Sequence, residues 1–463
     1  MDRREFLRTT GLALGAARLL EAAQVPTTRD LGRNREVEEL YEQCIRRNWV
    51  EGGEYSNLPY AWIASGEGFH HYLAACDAAL CGILTAMENP ERARQMFRNH
   101  WHWMEHNPDF PKGSAGYGMI PGIVRVDHGS YYRNFKLSQT PLTAWGVWEV
   151  YEQERRKEFL RESLPHLLTN HEWFERERDI DNDLLVEVGS YTQWAQALRY
   201  ESVEAALDPT EEEIANEISS YYVGGRPGLK TNFLGARMTN RKKEPSGERY
   251  YSDLESVEMT AGMVLAEKSI ARIASELGES GLASQYRELA RRREQAMNRW
   301  MWDGKEGFYY DLNRDTHQVL RLKTAMGFLP MVSGSCSGEQ AQALVGHLLN
   351  PSQFWTRFPV STYSRPALAD AKRGRLESSV LVNFLLNAGL NQYGFQEEAK
   401  TLTEVTRERV QGPVWAGRWN SETGEPVGPA RAASTALVIL MIEQNYGGMK
   451  ERFRAPAPAG EHA

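Results

Sequence analysis

The chain reads as an all-α protein, with about twelve core helices folded as six antiparallel pairs. From residue 36 onward, segment after segment carries apolar residues three or four apart, while the strict alternation of a half-buried strand is nearly absent. At roughly 35 residues per helix plus loop, the length suits six pairs. No repeat of fixed period is visible, which argues against a solenoid.

Taken in order, Glu36 to Arg47 places Val37, Leu40, Tyr41 and Cys44 on one face. Tyr72 to Met87 is Ala-rich and apolar nearly all round, the mark of a buried helix. Pro90 to Glu105, Thr140 to Gln153 and Lys157 to Phe174 follow with 3–4 spaced stripes, as do Gln193 to Ala205 and Pro209 to Tyr221. Leu254 to Glu276 and Leu282 to Trp300 are the longest. His317 to Met326, Gly338 to Leu348, Leu376 to Ala388, Phe395 to Arg409 and Arg431 to Asn445 complete the set. Between them lie loops rich in Gly, Pro and Asn, notably Asn107 to Gly122, Gly224 to Gly235, Trp302 to Asn313 and Gln353 to Pro366. Long loops in a compact helical domain usually carry function.

A length of 463 residues, 41% of them hydrophobic and 25% charged, allows a large core. The net charge of -8 argues against a polyanionic partner, so nucleic acid is excluded. After the N-terminus no window of eighteen apolar residues suggests a membrane span. Asp2-Arg3-Arg4-Glu5-Phe6-Leu7-Arg8 matches the twin-arginine export pattern, with a short apolar run and a small-residue cleavage site at Glu21-Ala22-Ala23. Residues 1–23 are therefore expected to be a signal peptide and the mature protein periplasmic or secreted. The helical domain is expected over 30–450, with residues 451–463 a disordered tail containing Ala455-Pro456-Ala457-Pro458. Cys44, Cys76, Cys81 and Cys336 match no metal or redox spacing and read as free thiols. His70-His71 and His100-Trp101-His102 lack acidic partners at ligand spacing, so no metal is expected.

Several stretches, in order along the chain, resemble the mannosylglycerate hydrolase-like and processing α-glucosidase I-like glycosidases. Gln139-Thr140-Pro141-Leu142 resembles the family's Gln-x-Pro-Leu. Trp173 with Arg178-Asp179-Ile180-Asp181-Asn182-Asp183-Leu184 resembles its Trp-x-x-x-Arg-Asp-x-Asp-Gly-Asp-Gly-Leu loop. Ser252-Asp253-Leu254-Glu255 resembles its Asp-Leu-Asn helix start, and Trp302-Asp303-Gly304 with Gly307-Phe308-Tyr309-Tyr310-Asp311 a turn recurring in helical-barrel sugar enzymes. Arg418 to Gly428, with Thr423-Gly424, resembles the last loop, Glu-x-Tyr-x-Pro-x-Thr-Gly. The resemblance implies an (α/α)6 barrel, a six-hairpin toroid, acting on a carbohydrate without a cofactor.

The family's catalytic residues are not where the pattern puts them. With Thr423-Gly424 as anchor the base falls on Gly417, and the acid falls on Tyr191 or Gln193. Inverting hydrolysis needs two carboxyl groups, one to protonate the leaving oxygen and one to activate water. Candidates for the acid are Asp181, Asp183 and Glu187, and for the base Glu377, Glu422 and Glu425. Gln139, Tyr191, Gln193, Trp194, Arg375, Trp415 and Trp419 are expected to bind substrate, the aromatics as stacking platforms. Two alternatives stay open: a relative that binds sugar without cleaving it, and a polysaccharide lyase using His128 and Tyr131.

Overall fold

The computed structural model describes residues 35–51, 60–67, 72–106, 111–114, 116–127, 130–133, 139–187, 254–314, 316–369, 377–410 and 414–453. The expected signal peptide, the tail from residue 454, and Tyr191, Gln193, Trp194, Arg375 and His128 lie outside them. So do the two helices expected between 193 and 221.

Of the fourteen α-helices among the described residues, twelve form the architecture: α1 (Arg35–Cys44), α2 (Ala75–Thr85), α3 (Pro90–Glu105), α4 (Thr143–Glu154), α5 (Lys157–Glu177), α6 (Val257–Leu277), α7 (Ser280–Trp300), α8 (Leu329–Val332), α9 (Gly338–Leu348), α10 (Val380–Gln392), α11 (Gln396–Arg409) and α12 (Val438–Tyr446). The short Arg365–Ala369 and Met449–Phe453 are the other two. A 3-10 turn, Ala325–Phe328, leads into α8, and another, Ala433–Leu437, leads into α12. Helix α2 packs on α4, α4 on α6, α6 on α8, α8 on α10 and α10 on α12. The 3-10 turn before α12 packs back on α2, which closes a ring. The even-numbered helices are its inner wall and the odd-numbered ones its outer layer.

Burial follows from this arrangement. Every residue of α2 is buried, because an inner helix is covered on all sides. Outer α7 buries only Ala283, Tyr286, Ala290, Arg293 and Met297, one stripe at 3–4 spacing. Two glycines let the layers close. A Cβ on Gly82 would stand 2.9 Å from the Phe97 ring, and one on Gly146 would stand 2.9 Å from the same ring. Phe97 of outer α3 thus wedges between inner α2 and α4, and no larger residue fits at either position.

The connections decide where a site can form. Each inner helix from α2 to α10 turns directly into its outer partner over a few residues, which makes antiparallel hairpins with all their tight turns at one end. The return connections, 45–74, 106–142, 178–256, 301–324, 349–379 and 410–432, are long, and the ends of each that adjoin the helices lie at the other end. Every strand among the described residues sits in these returns: β1 (Trp49–Val50), β2 (Trp62–Ile63), β3 (Tyr72–Ala74), β4 (Ile123–Asp127), β5 (Ser130–Arg133), β6 (Leu254–Glu255), β7 (Trp302–Asp303), β8 (Phe308–Tyr309), β9 (Leu312–Asn313), β10 (Glu377–Ser379), β11 (Arg418–Asn420) and β12 (Pro426–Val427).

These strands correct several helix starts. Tyr72 to Ala74, Leu254-Glu255 and Glu377 to Ser379 are short antiparallel strands that run into buried helices, not the first turns of those helices. A buried strand continuous with a buried helix has no periodicity to separate the two. His317 to Met326 is not a helix either. Val319 bridges Leu312, and His317 has φ 52°, a left-handed conformation that no α-helix holds. All four cysteines are free thiols.

Candidate active site

The motif around Trp302 is structural. β7 pairs with β8, Trp302 opposite Tyr309, and the Asp303 carboxylate accepts from the backbone N–H groups of Lys305 (2.9 Å) and Glu306 (3.0 Å) to close the turn. Asp311 then accepts from Val257 N (2.9 Å) and ties the turn to the start of inner α6. β9 follows and pairs with β6, bringing Arg314 and His317 beside the acidic loop.

That loop, Arg178 to Glu187, connects the end of α5 to residues outside the described set. Its return is Leu254-Glu255, and Glu187 and Glu255 are antiparallel bridge partners. Glu187 N donates to Arg178 O (2.8 Å), Val186 N to Thr260 Oγ1 (3.0 Å), and Ser256 N to Val186 O (2.9 Å). The two positions where the family pattern has glycine, Asn182 and Leu184, keep left-handed backbones at φ 60° and 74°. Asn tolerates this conformation, whereas Leu holds it against steric resistance of about 1–2 kcal/mol.

The loop gathers an unusual density of carboxyl groups. Glu187 and Glu255 are fully buried, and Asp179 nearly so, while Asp183 is half-buried and Asp181 exposed. Burial pushes the Glu187 carboxyl well up, and burial with the nearby Asp183 and Asp181 pushes Glu255 up to about 9. Burial likewise raises Asp179 to about 7, against the pull of Arg293. Arg314, buried and 3.7 Å from Glu187, moderates the cluster. Among the described residues neither oxygen of Glu255 has a hydrogen-bond partner, nor does Glu187 Oε2. One ligand atom each from Asp181, Asp183, Glu255 and His317 lie within 4.8 Å of one another, three carboxylate oxygens and an imidazole nitrogen that together could hold a divalent cation. Glu255, Arg314 and His317 were missed in the sequence because nothing there pairs residue 255 with 187.

The last loop tells a different story. Val380 N donates to Gly417 O (3.0 Å), and β10 and β11 pair Ser379 with Arg418 and Glu377 with Asn420. Gly417 is buried, and a Cβ there would stand 2.7 Å from Ser434 Oγ and 3.1 Å from Ala432 Cβ. A side chain at the family's base position would therefore require Ser434 to move. Glu377, half-buried on β10, lies 3.4 Å from Arg418. Arg418 also lies near Asp77, a buried carboxyl in the first turn of α2 that burial pushes up. Glu422 pairs with Arg365 (2.7 Å), and Glu425 is an exposed turn residue.

Two expected substrate contacts change role. Trp419 is only 2% exposed and donates through Nε1 to Phe358 O (3.0 Å), so it packs the core and offers no face to a sugar. Gln139 is buried and its Oε1 accepts from Cys76 N (2.6 Å), which spends that oxygen on the N-terminal end of α2. Trp415 stays half-buried, in a left-handed conformation at φ 47°. For the lyase alternative, Tyr131 is a β5 residue paired with Val126.

The Mannosylglycerate hydrolase MGH1-like glycoside hydrolase domain matches residues 72–432, most of the chain. The chain belongs to this glycoside hydrolase family. A mannosylglycerate hydrolase from Rubrobacter radiotolerans is 23% identical over 450 residues, covering 88% of this chain and 97% of that protein. The glucose complex of a GH63 mannosylglycerate hydrolase from Thermus thermophilus superposes with a TM-score of 0.66 at 19% identity, covering 88% of this chain and 99% of the other. A neutral trehalase from Saccharomyces cerevisiae gives 0.57 at 15% identity, covering 85% and 75%. These likenesses agree with the closed ring of helix pairs as an (α/α)6 barrel, all-α in class with a few small sheets. Among the described residues no helix is long and apolar enough to cross a membrane.

Proposed function

We propose that this family member is exported and cleaves the glycosidic bond of a small hexoside by acid/base hydrolysis with inversion. Mannosylglycerate, the substrate named for its relatives, is the first to test. The observation that carries the reading is the convergence of Asp181, Asp183, Glu187 and Glu255, from two segments distant in sequence, at the end of the ring opposite the tight hairpin turns.

Asp181 and Asp183 turn oxygens toward Glu255 and His317, which leaves Glu187 as the proton donor. Its burial raises the carboxyl well above the usual carboxylate range, the direction a general acid requires. Glu377, opposite Asn420 in the β10–β11 ladder and beside Arg418, is the proposed base. The test is a screen of mannosylglycerate and simple glucosides and mannosides, following released sugar and the anomer first formed. Cleavage with the opposite anomer supports the reading, and retention overturns the inverting step.

The packing at Gly417 favours a second reading, sugar binding without cleavage. If no glycoside is cleaved but calorimetry shows one bound, that reading replaces hydrolysis. Export has its own test: replacing Arg3 and Arg4 by Lys should hold the protein in the cytoplasm, and unchanged fractionation refutes the twin-arginine address.

A further inference from the structure

The buried stripe of outer α7 runs Ala283, Tyr286, Ala290, Arg293, Met297, with an arginine in phase with its apolar neighbours. Arg291 and Arg292, its sequence neighbours, point elsewhere and are exposed, so this position was not chosen for surface charge. Arg293 is 0% exposed. Its Nε donates to Glu267 Oε1 of inner α6 (2.8 Å), and Nη2 pairs with Glu175 near the end of α5. Its Nη1 donates to the backbone carbonyl of Leu184 (2.8 Å) and lies 3.6 Å from the Asp179 carboxylate. His171 Nε2, 3.1 Å from the same Glu267 oxygen, completes the group. The guanidinium fork therefore reaches two neighbouring helices and two points of the acidic loop at once.

We infer that Arg293 is a positioning residue that pins the Asp179–Glu187 loop in its working shape, resting on the reading above only in taking that loop to carry the acid. Leu184 holds a left-handed backbone that its side chain resists, and a persisting unfavourable conformation needs its surroundings to over-determine it. The carbonyl that Arg293 holds belongs to that same residue. The next three amides, Leu185, Val186 and Glu187, are bonded to Asp183, Thr260 and Arg178, so register lost at Leu184 passes directly to Glu187. A lysine could keep the charge but not the geometry. One ammonium cannot span Glu267, Glu175 and the Leu184 carbonyl in the plane of a fork.

The test is hydrogen exchange on the full chain, comparing wild type with Arg293→Lys. Losing a charge-assisted hydrogen bond to the loop should speed exchange of the 184–187 amides about tenfold or more, while amides of α6 and α10 keep their protection. A merely structural role would speed exchange across the ring or leave it unchanged, and either outcome overturns the inference. If Arg293→Lys fails to fold, the Arg293→Met, Glu267→Met pair removes the guanidinium with its buried carboxylate and gives the same readout. On a cleaved glycoside, kcat should fall more than KM changes, because the loop positions the proton donor. If the wild type cleaves nothing, the proposed function fails while the exchange result still decides the role of Arg293.

Discussion

The Arg178–Glu187 loop and the Trp415–Gly428 loop leave the ring at the same end and have kept opposite halves of the family pattern. The first keeps its acids and has lost its glycines, yet Asn182 and Leu184 still hold left-handed backbones. The second keeps its turn: Gly424 N donates to Asn420 O (2.8 Å), and the Asn420 side chain accepts from Glu422 N and Thr423 N. What it has lost is the base carboxylate, and Ser434 has filled the space at Gly417. A backbone shape can outlast its glycines when buried contacts such as Arg293 hold it. A catalytic side chain can return only if the residue that now fills its space moves.

The largest effect that would break this comparison is on Glu187. Glu187→Gln should lower kcat by about two to four orders of magnitude with little change in KM, measured on whichever glycoside the wild type cleaves. An unchanged kcat would return the acid role to another residue and make the two loops equally inert.

Both loops hang on one scaffold, whose own pH response has to be separated from theirs. His100, on outer α3, is fully buried with neither ring nitrogen bonded among the described residues, and burial lowers it to about 4 from 6.5. Its folded value lies below its unfolded value, so the unfolded chain takes the proton first. Stability is therefore full above pH 6.5 and falls between 6.5 and about 4, by about 3 kcal/mol at most. His100→Leu should flatten that part of a urea-unfolding series run from about pH 7 to 4. If the slope persists, the acid sensitivity belongs elsewhere.

Next in size is the closed position. Gly417→Ala should destabilise the fold by about 1–3 kcal/mol through overpacking, and adding Ser434→Ala should recover part of it. A neutral Gly417→Ala would mean that the loop yields and that a base could be restored there. The smallest effect tests the backbone half. Asn182→Val should cost about 1–2 kcal/mol while Asn182→Gly stays near neutral, read as shifts in the urea midpoint. Equal midpoints would show that the left-handed turn matters little to the first loop.

The ring itself was legible because most of its helices are amphipathic or wholly apolar segments that announce themselves by period, although the four-residue α8 was too short to do so. The starts of the inner helices were not, since the strands Tyr72 to Ala74 and Glu377 to Ser379 run directly into buried helices with no Gly, Pro or Asn to mark the boundary. On the site side, Asp181, Asp183 and Glu187 could be read from their loop. Glu255 could not, because its partner across the bridge is far away in sequence. Arg293 hid among three consecutive arginines, although its phase with Tyr286 and Met297 was the available signal. Trp419 looked like a platform for want of the Phe358 carbonyl that its indole meets. Nothing near Gly417 in the chain foretells Ser434.

The bridge between Glu187 and Glu255 has a consequence for how such a protein can vary. The chain leaves the ring at one residue and re-enters beside it, so the two ends of the intervening stretch are held together by the ring itself. Lengthening a loop whose ends are already joined costs only logarithmically, about 0.6 kcal/mol for each doubling. Evolution can therefore lengthen or rewrite the stretch between these two residues while the closed helical wall remains untouched.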